Sequence, residues 1–195
     1  MKTGEPDSTC KRIVVFGPEC SGKTTLTQQL ANYFGTSWSP EYARPYLTYK
    51  NDIENRWQRG FISVYEDVEP MSIGQMAVED HALACAANGI VFHDTNLLTN
   101  LIYAEYYFGQ APEWLPLMMN NRAYDGYLLL EPNLPWCADG LRDRPSQRNL
   151  LLEIFKNALH VHQCRYAQIS ATGEERFQQA LAALSKWDIS APTKP

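Results

Sequence analysis

Nothing in this chain marks a membrane protein, a disulfide scaffold or a nucleic-acid binder. No apolar run approaches the roughly 18 residues that a helix needs to cross a bilayer. Positive charge is in deficit: 17 Lys and Arg against 22 Asp and Glu leave a net charge of −5. No global field therefore draws the chain to nucleic acid. The five cysteines, Cys10, Cys20, Cys85, Cys137 and Cys164, are scattered and include no C-x-x-C pair. That pattern argues against both a disulfide framework and a zinc site. His160 and His162 lie two apart without an evident third ligand, so they too read as ordinary histidines. There is no internal repeat, low-complexity tract or linker. Residues 1–11 are polar and lack an apolar h-region, so they are expected to be a flexible N-terminus rather than a signal peptide. These exclusions lead to the expectation of a cytoplasmic protein.

What remains is an ordinary globular composition, 45% hydrophobic and 20% charged over 195 residues. It suits one domain, expected over 12–190. Short apolar runs at 12–16, 90–93, 127–130 and 165–170, with a weaker one at 36–39, read as strands. Between them lie helical patterns at 22–34, 71–88, 97–108, 112–122 and 146–159. In the first helix Leu26, Leu30, Tyr33 and Phe34 share one face. Segment 46–70 has weak periodicity, although the spacing of Trp57, Phe61 and Tyr65 suggests a helix that Gly60 weakens. A final helix carries Phe177, Ala180, Leu181, Leu184 and Trp187 on one stripe, opened by the capping-box pattern Thr172-x-x-Glu175. Strands alternating with helices predict an α/β fold, a parallel sheet of about five strands covered by helices on both faces.

Gly17-Pro18-Glu19-Cys20-Ser21-Gly22-Lys23-Thr24 reads G-x-x-x-x-G-K-[ST] between the first strand and the first helix. That is the setting of a phosphate-binding P-loop. Glycines at 17 and 22 permit a tight turn in which successive N–H groups face one anion, and the helix N-terminus adds its dipole. Lys23 is expected to reach the β- and γ-phosphates, and the Thr24 hydroxyl to sit on Mg²⁺. Cys20 lies inside this loop, where packing rather than redox chemistry is the expected role.

In an open parallel sheet ligands lie beyond the carboxyl ends of the strands. Polar residues emerge there after each run: Glu41 and Arg44, then Asp94, Thr95 and Asn96, then Glu131. Phosphoryl transfer needs a phosphate cradle, a metal, a carboxylate near the acceptor hydroxyl and cations on the migrating group. Asp94 fits either the metal or the base role, with Glu41 as the rival base. The loop at 133–148 has the makings of a mobile lid, with Gly140 as hinge, Arg142, Arg144 and Arg148 as cations and Trp136 able to stack on an aromatic ring. The cluster Tyr103, Tyr106, Tyr107 and Phe108 reads as helix packing rather than a cofactor box, with lining of the acceptor pocket as the alternative.

Taken together, these motifs resemble the ribosylnicotinamide kinase domain of the NadR-type bacterial proteins of NAD biosynthesis, over about residues 12–185. The loop GPECSGKTT resembles that family's G-x-E-S-S-G-K-[ST]-T form. Glu41-Tyr42-Ala43-Arg44 resembles its E-Y-[GA]-R element, and Phe92-His93-Asp94-Thr95-Asn96 its F-I-D-T-D. The octapeptide Pro135-Trp136-Cys137-Ala138-Asp139-Gly140-Leu141-Arg142 is very close to its P-W-x-A-D-G-L-R segment and is the most specific of the four. The resemblance implies a P-loop kinase using ATP and Mg²⁺ to phosphorylate the 5′-hydroxyl of nicotinamide riboside, giving nicotinamide mononucleotide.

In that reading Lys23, Asp94, Glu41 and Arg142 carry the chemistry. Gly17, Glu19, Cys20, Ser21, Gly22, Lys23, Thr24, Thr25 and Arg144 hold the nucleotide. Glu41, Tyr42, Arg44, Asp94, Asn96, Trp136 and Asp139 meet the substrate, and Thr24 and Asp94 the metal. Asn96 stands where the family tends to carry a second acid, and Cys20 replaces a serine. A helix-turn-helix and a second nucleotide-binding unit with an H-x-G-H element are not found in the chain, so neither repression nor dinucleotide synthesis is expected. The expected partner is a small-molecule nucleoside, with no nucleic acid and no membrane, and a homo-oligomer is compatible with the composition. Two alternatives stay open: another nucleoside or nucleotide kinase, for which Arg44, Arg56 and Arg59 supply basic residues, and a regulatory P-loop ATPase. Against a GTPase switch, the D-x-x-G and N-K-x-D elements are missing.

Overall fold

The computed structural model describes residues 10–53, 63–136 and 145–191. Five strands form one parallel sheet: β1 (Lys11–Phe16), β2 (Trp38–Ser39), β3 (Ile90–Asp94), β4 (Gly126–Leu130) and β5 (Tyr166–Ile169). Their order across the sheet is β2-β3-β1-β4-β5, with β1 paired in parallel to both β3 and β4. The intervening helices are α1 (Lys23–Phe34), α2 (Ala43–Ile53), α3 (Val68–Ala84), α4 (Leu97–Phe108), α5 (Trp114–Asn120), α6 (Arg148–Val161) and α7 (Gly173–Ser185).

Side-chain alternation along the strands divides the core in two. Ile13 and Val15 of β1 face a cluster with Leu26, Leu30 and Phe34 of α1 and Ala180 and Leu184 of α7. Val14 and Phe16 face the opposite cluster, built with Leu97, Leu98 and Leu101 of α4, Leu115 of α5 and Leu151, Phe155 and Leu159 of α6. The interior strands are buried on both faces, which is why they read as continuous apolar runs. Phe16 anchors the second cluster, with its ring 4.7 Å from Phe155 and 5.3 Å from Tyr127.

Most of the expected elements are present, with four differences. Helix α2 begins at Ala43 and carries Pro45 in its first turn, where a missing N–H costs no hydrogen bond. Helix α3 starts three residues earlier than expected and stops at Ala84. The expected helix through Trp57 and Phe61 falls on residues outside the described ones, while Tyr65 belongs to a short 3-10 turn. At the start of α7, Thr172 is the N-cap in extended backbone but makes no side-chain capping bond. The capping box does not form; the two amides before the cap are instead held by Gln179, whose Oε1 accepts from Ser170 and Ala171 N–H, both at 3.1 Å. Among the described residues no helix is long and apolar enough to cross a membrane.

Gly17 is where the sheet and the phosphate loop meet. Its φ is +136°, and a Cβ there would lie 2.6 Å from the carbonyl oxygen of Leu130, a backbone atom of β4 that cannot step aside. Two substitutions separate core from loop. Phe155→Ala is expected to cost about 3–5 kcal/mol of stability in denaturant unfolding while nucleotide affinity persists. Gly17→Ala is expected to cost roughly 1–3 kcal/mol of local strain and to lose nucleotide binding as well, measured by calorimetry with ADP.

Candidate functional site

The site lies at the carboxyl ends of β1, β2 and β3, near where the winding of the sheet reverses around β1. After β1, Cys20 at φ +55° and Gly22 at φ +83° place two left-handed residues in the loop. That backbone geometry gathers successive N–H groups into an anion-binding concavity at the start of α1. Two donors tie the loop across itself at one carbonyl: Ser21 Oγ donates to Pro18 O at 2.8 Å and Lys23 Nζ to the same oxygen at 2.9 Å. Left-handed Cys20 fits as a short residue whose half-buried side chain leaves the backbone to do the binding.

Asp94 ends β3 directly opposite Val15 of β1. The Thr24 hydroxyl donates to its Oδ2 at 2.5 Å. Asp94 is 1% exposed, and its second oxygen, Oδ1, has no hydrogen-bond partner among the described residues. Burial pushes its carboxyl up to about 6, and the charge of Glu41 adds to that; Lys23, the Thr24 hydrogen bond and Arg44 pull the other way. Thr95 follows in the left-handed region at φ +69°, unusual for a β-branched residue, and its N–H bonds Val15 O at 3.1 Å.

Glu41 follows β2 by two residues and faces Arg44 of α2 at 3.7 Å. The residues Glu19, Cys20, Ser21, Gly22, Lys23, Thr24, Thr25, Glu41, Arg44 and Tyr103 line one cavity of about 210 Å³. Glu41, Arg44 and the phosphate loop, separate in sequence, are thus brought to one place. Tyr103 joins them from α4 while also packing edge-on to Phe155. Tyr42 turns toward α3: its N–H donates to Gln75 Oε1 at 2.9 Å and its ring stacks on Tyr46.

Other expected residues stand elsewhere. Asn96 is fully buried and donates through Nδ2 to the Tyr127 hydroxyl at 2.9 Å, so it faces the core rather than the cavity. Glu131 is engaged by Gln168 and Asn133 at 2.5 and 3.2 Å. Trp136 is half-buried, with the Arg148 guanidinium 5.9 Å from its ring centre, and Arg148 donates to Leu134 O at 2.7 Å. Asp139, Arg142 and Arg144 lie outside the described residues. Missed in the sequence was Arg176, which donates from α7 to the Ser21 carbonyl of the phosphate loop. No motif signals it, since it lies 155 residues from its partner.

The donor set suits Mg²⁺. The Thr24 hydroxyl and the buried Asp94 carboxylate, whose Oδ1 is uncommitted, meet beside the phosphate loop, and Mg²⁺ is usually held by one or two carboxylates together with substrate phosphates. No three metal-ligating side chains cluster among the described residues.

The chain is similar to known proteins over most of its length. The chain is 32% identical over 167 residues to the trifunctional NAD biosynthesis/regulator protein NadR of Salmonella typhimurium, covering 80% of this chain and 39% of the relative. It therefore spans about two fifths of the length of that protein. Its fold superposes on a NadR protein in complex with NR with a TM-score of 0.77 at 22% identity, over 96% of this chain and 54% of the other. A NadR protein in complex with NAD and AMP-PNP gives 0.75 at 20% identity, over 96% and 52%. Deoxyadenosine kinase from M. mycoides with bound dATP gives 0.56 at 14% identity, over 89% and 99%. Residues 12–176 match the family model AAA_28, described as an AAA domain. The chain belongs to that family of P-loop domains, and its five-stranded parallel sheet is the fold of P-loop kinases.

Proposed function

We propose that this chain transfers the γ-phosphoryl group of ATP to the 5′-hydroxyl of nicotinamide riboside, yielding nicotinamide mononucleotide. The observation that carries the reading is the convergence of Lys23, Thr24, Glu41 and Arg44 on one cavity, with buried Asp94 bonded to Thr24 beside it. A carboxylate lining the cavity beside the phosphate loop is placed to accept the proton of an acceptor hydroxyl, as phosphoryl transfer to an alcohol requires. The relative's role in NAD biosynthesis and the NR bound to a structural neighbour support this acceptor.

In this mechanism the loop amides and Lys23 hold the phosphates in line. Thr24 and Asp94 would hold Mg²⁺, which when bound neutralises charge on the β- and γ-oxygens. Glu41 takes the acceptor proton: it lines the cavity and is half-buried, whereas Asp94 is fully buried with Oδ2 bonded to Thr24 and Oδ1 left for the metal. Arg44 stands beside Glu41, with its Nε 3.7 Å from Glu41 Oε2. Arg142 and Arg144 are proposed as the cations that close on the migrating group, with Trp136, Asp139 and Tyr42 on the nucleoside.

Purified protein with Mg-ATP and a nucleoside panel is expected to release ADP in the presence of nicotinamide riboside. ADP released equally without any acceptor would instead identify a regulatory ATPase. Lys23→Ala is expected to abolish turnover with the fold intact by circular dichroism. Glu41→Gln is expected to lower kcat by about 10²–10⁴-fold without changing metal dependence, because it removes the proton acceptor. Asp94→Asn should instead raise the Mg²⁺ concentration needed for half-maximal rate. If Asp94→Asn left the metal requirement unchanged while Glu41→Gln altered it, the two roles would be exchanged.

Asp94 also gives a pH signature to the metal-free protein. Its folded-state carboxyl titrates at about 6, above the ordinary 3.8. Between those values the folded state holds more protons than the unfolded one, so stability falls as pH rises from about 4 to about 6. Denaturant unfolding in a chelator is expected to show this loss, on the order of 3 kcal/mol, and Asp94→Asn to remove it.

A further inference from the structure

Arg176 is a cation in an unusual place. It belongs to the first turn of α7, is 6% exposed, and reaches across to the phosphate loop. Its Nη1 donates to Ser21 O at 2.5 Å and its Nε to Ala171 O at 3.0 Å. Its Nη2 is buried with no hydrogen-bond partner, and no carboxylate pairs with it among the described residues. Burial lowers its affinity for the proton without removing the charge of a guanidinium. A buried cation facing only two carbonyls is costly, and buried charges in proteins are ordinarily paired. The missing negative charge needs a source.

The phosphate loop supplies the place for one. In a planar trans peptide the C=O and N–H point in opposite directions. With the Ser21 carbonyl drawn toward Arg176, the N–H of Gly22 is turned away from α7. Ser21 and Gly22 both line the cavity of the phosphate loop. The same packing explains Gly22 a second time, beyond its positive φ: a side chain there would collide with the Arg176 guanidinium.

We infer that Arg176 is a positioning residue for nucleotide binding: it orients the Ser21–Gly22 amide toward the polyphosphate, whose negative charge in turn completes the electrostatic environment of its guanidinium. This rests on nucleotide binding at the loop and is independent of which acceptor is phosphorylated. It also couples α7 to the ligand. Binding of a nucleoside triphosphate therefore tightens the contact between the last helix and the first loop of the sheet.

The experiment uses the full chain with Arg176→Met, Arg176→Gln and Arg176→Lys, and reads ADP affinity by calorimetry beside the unfolding midpoint of the ligand-free protein. Loss of a hydrogen bond to a charged donor corresponds to about tenfold or more in affinity. Arg176→Met and Arg176→Gln are accordingly expected to bind ADP about tenfold more weakly, with Arg176→Lys recovering part of the loss. The ligand-free midpoint is expected to hold or rise, since a buried unpaired charge has gone. In steady-state assays KM for ATP should increase and KM for the acceptor stay constant. ADP affinity within about twofold of the parent in both Met and Gln variants would overturn the inference. A ligand-free midpoint that fell in step with affinity would overturn it too, by assigning Arg176 to the fold alone. Should the Met variant fail to fold, the Gln and Lys variants decide. Absence of acceptor-dependent turnover in the parent protein would count against the proposed reaction and leave this test intact.

Discussion

The bond from Thr24 to Asp94 is the constraint on which the site depends. It joins the start of α1 to the end of β3, two elements set by different parts of the chain. The parallel register fixes the match: Val15, two residues before the loop begins, stands opposite Asp94. A slip of one residue would send the carboxylate to the other face of the sheet and bring His93 or Thr95 to the rim. Register is held because both faces are buried, with Phe92 and Val91 committed to the interior. The strained turn at Thr95, whose amide bonds Val15 O, terminates β3 at that level. Core packing thus determines the height of the carboxylate above the sheet.

The charges at the rim oppose one another by design of the fold rather than by pairing off. Lys23 and Arg44 lower the cost of ionising Asp94, while burial and Glu41 raise it. Two carboxylates close enough to couple need different environments if they are to hold different roles. Asp94 is fully buried and accepts a hydroxyl; Glu41 is half-buried and faces a guanidinium. The first environment suits a metal ligand, which gains its compensating charge on binding. The second suits an acid–base group in contact with solvent and substrate.

How much of this was legible in the sequence follows from the range of each interaction. The loop, the interior strands and most helices are local patterns and were readable, since a glycine motif between an apolar run and a helical stripe needs no partner to be recognised; α2, in a stretch of weak periodicity, was not. The carboxylates at the rim followed from one topological rule applied to strand ends. What could not be read is set by long-range contacts. Asn96 has the sequence position of a rim residue, yet it donates to Tyr127 because β3 and β4 flank β1 and bring the two together. Thr172-x-x-Glu175 has a capping pattern, yet Gln179 satisfies the nearby amides. Arg176 touches Ser21 only because α7 and α1 share one face of the sheet.

Longest in reach is the polar chain beneath Glu41, which explains how a carboxylate beyond a two-residue edge strand keeps its place. The Tyr42 amide donates to Gln75 Oε1, and Gln75 Nε2 donates to Glu79 Oε1 at 3.3 Å. A carboxylate only accepts, so Glu79 fixes which way the Gln75 amide faces. Glu79, fully buried, accepts in turn from the Tyr124 hydroxyl at 2.6 Å and from Arg12 and Arg122, each at 3.4 Å. Burial pushes the Glu79 carboxyl up, and these three donors with Gln75 pull it back. Removing Glu79 would leave several of these donors without an acceptor at once, which ties the members of the chain together. Strand β2 contributes only two ladder positions to the sheet. The placement of the Glu41–Tyr42 turn is therefore carried from within, from α3 and the far end of β1, rather than by the strand that precedes it.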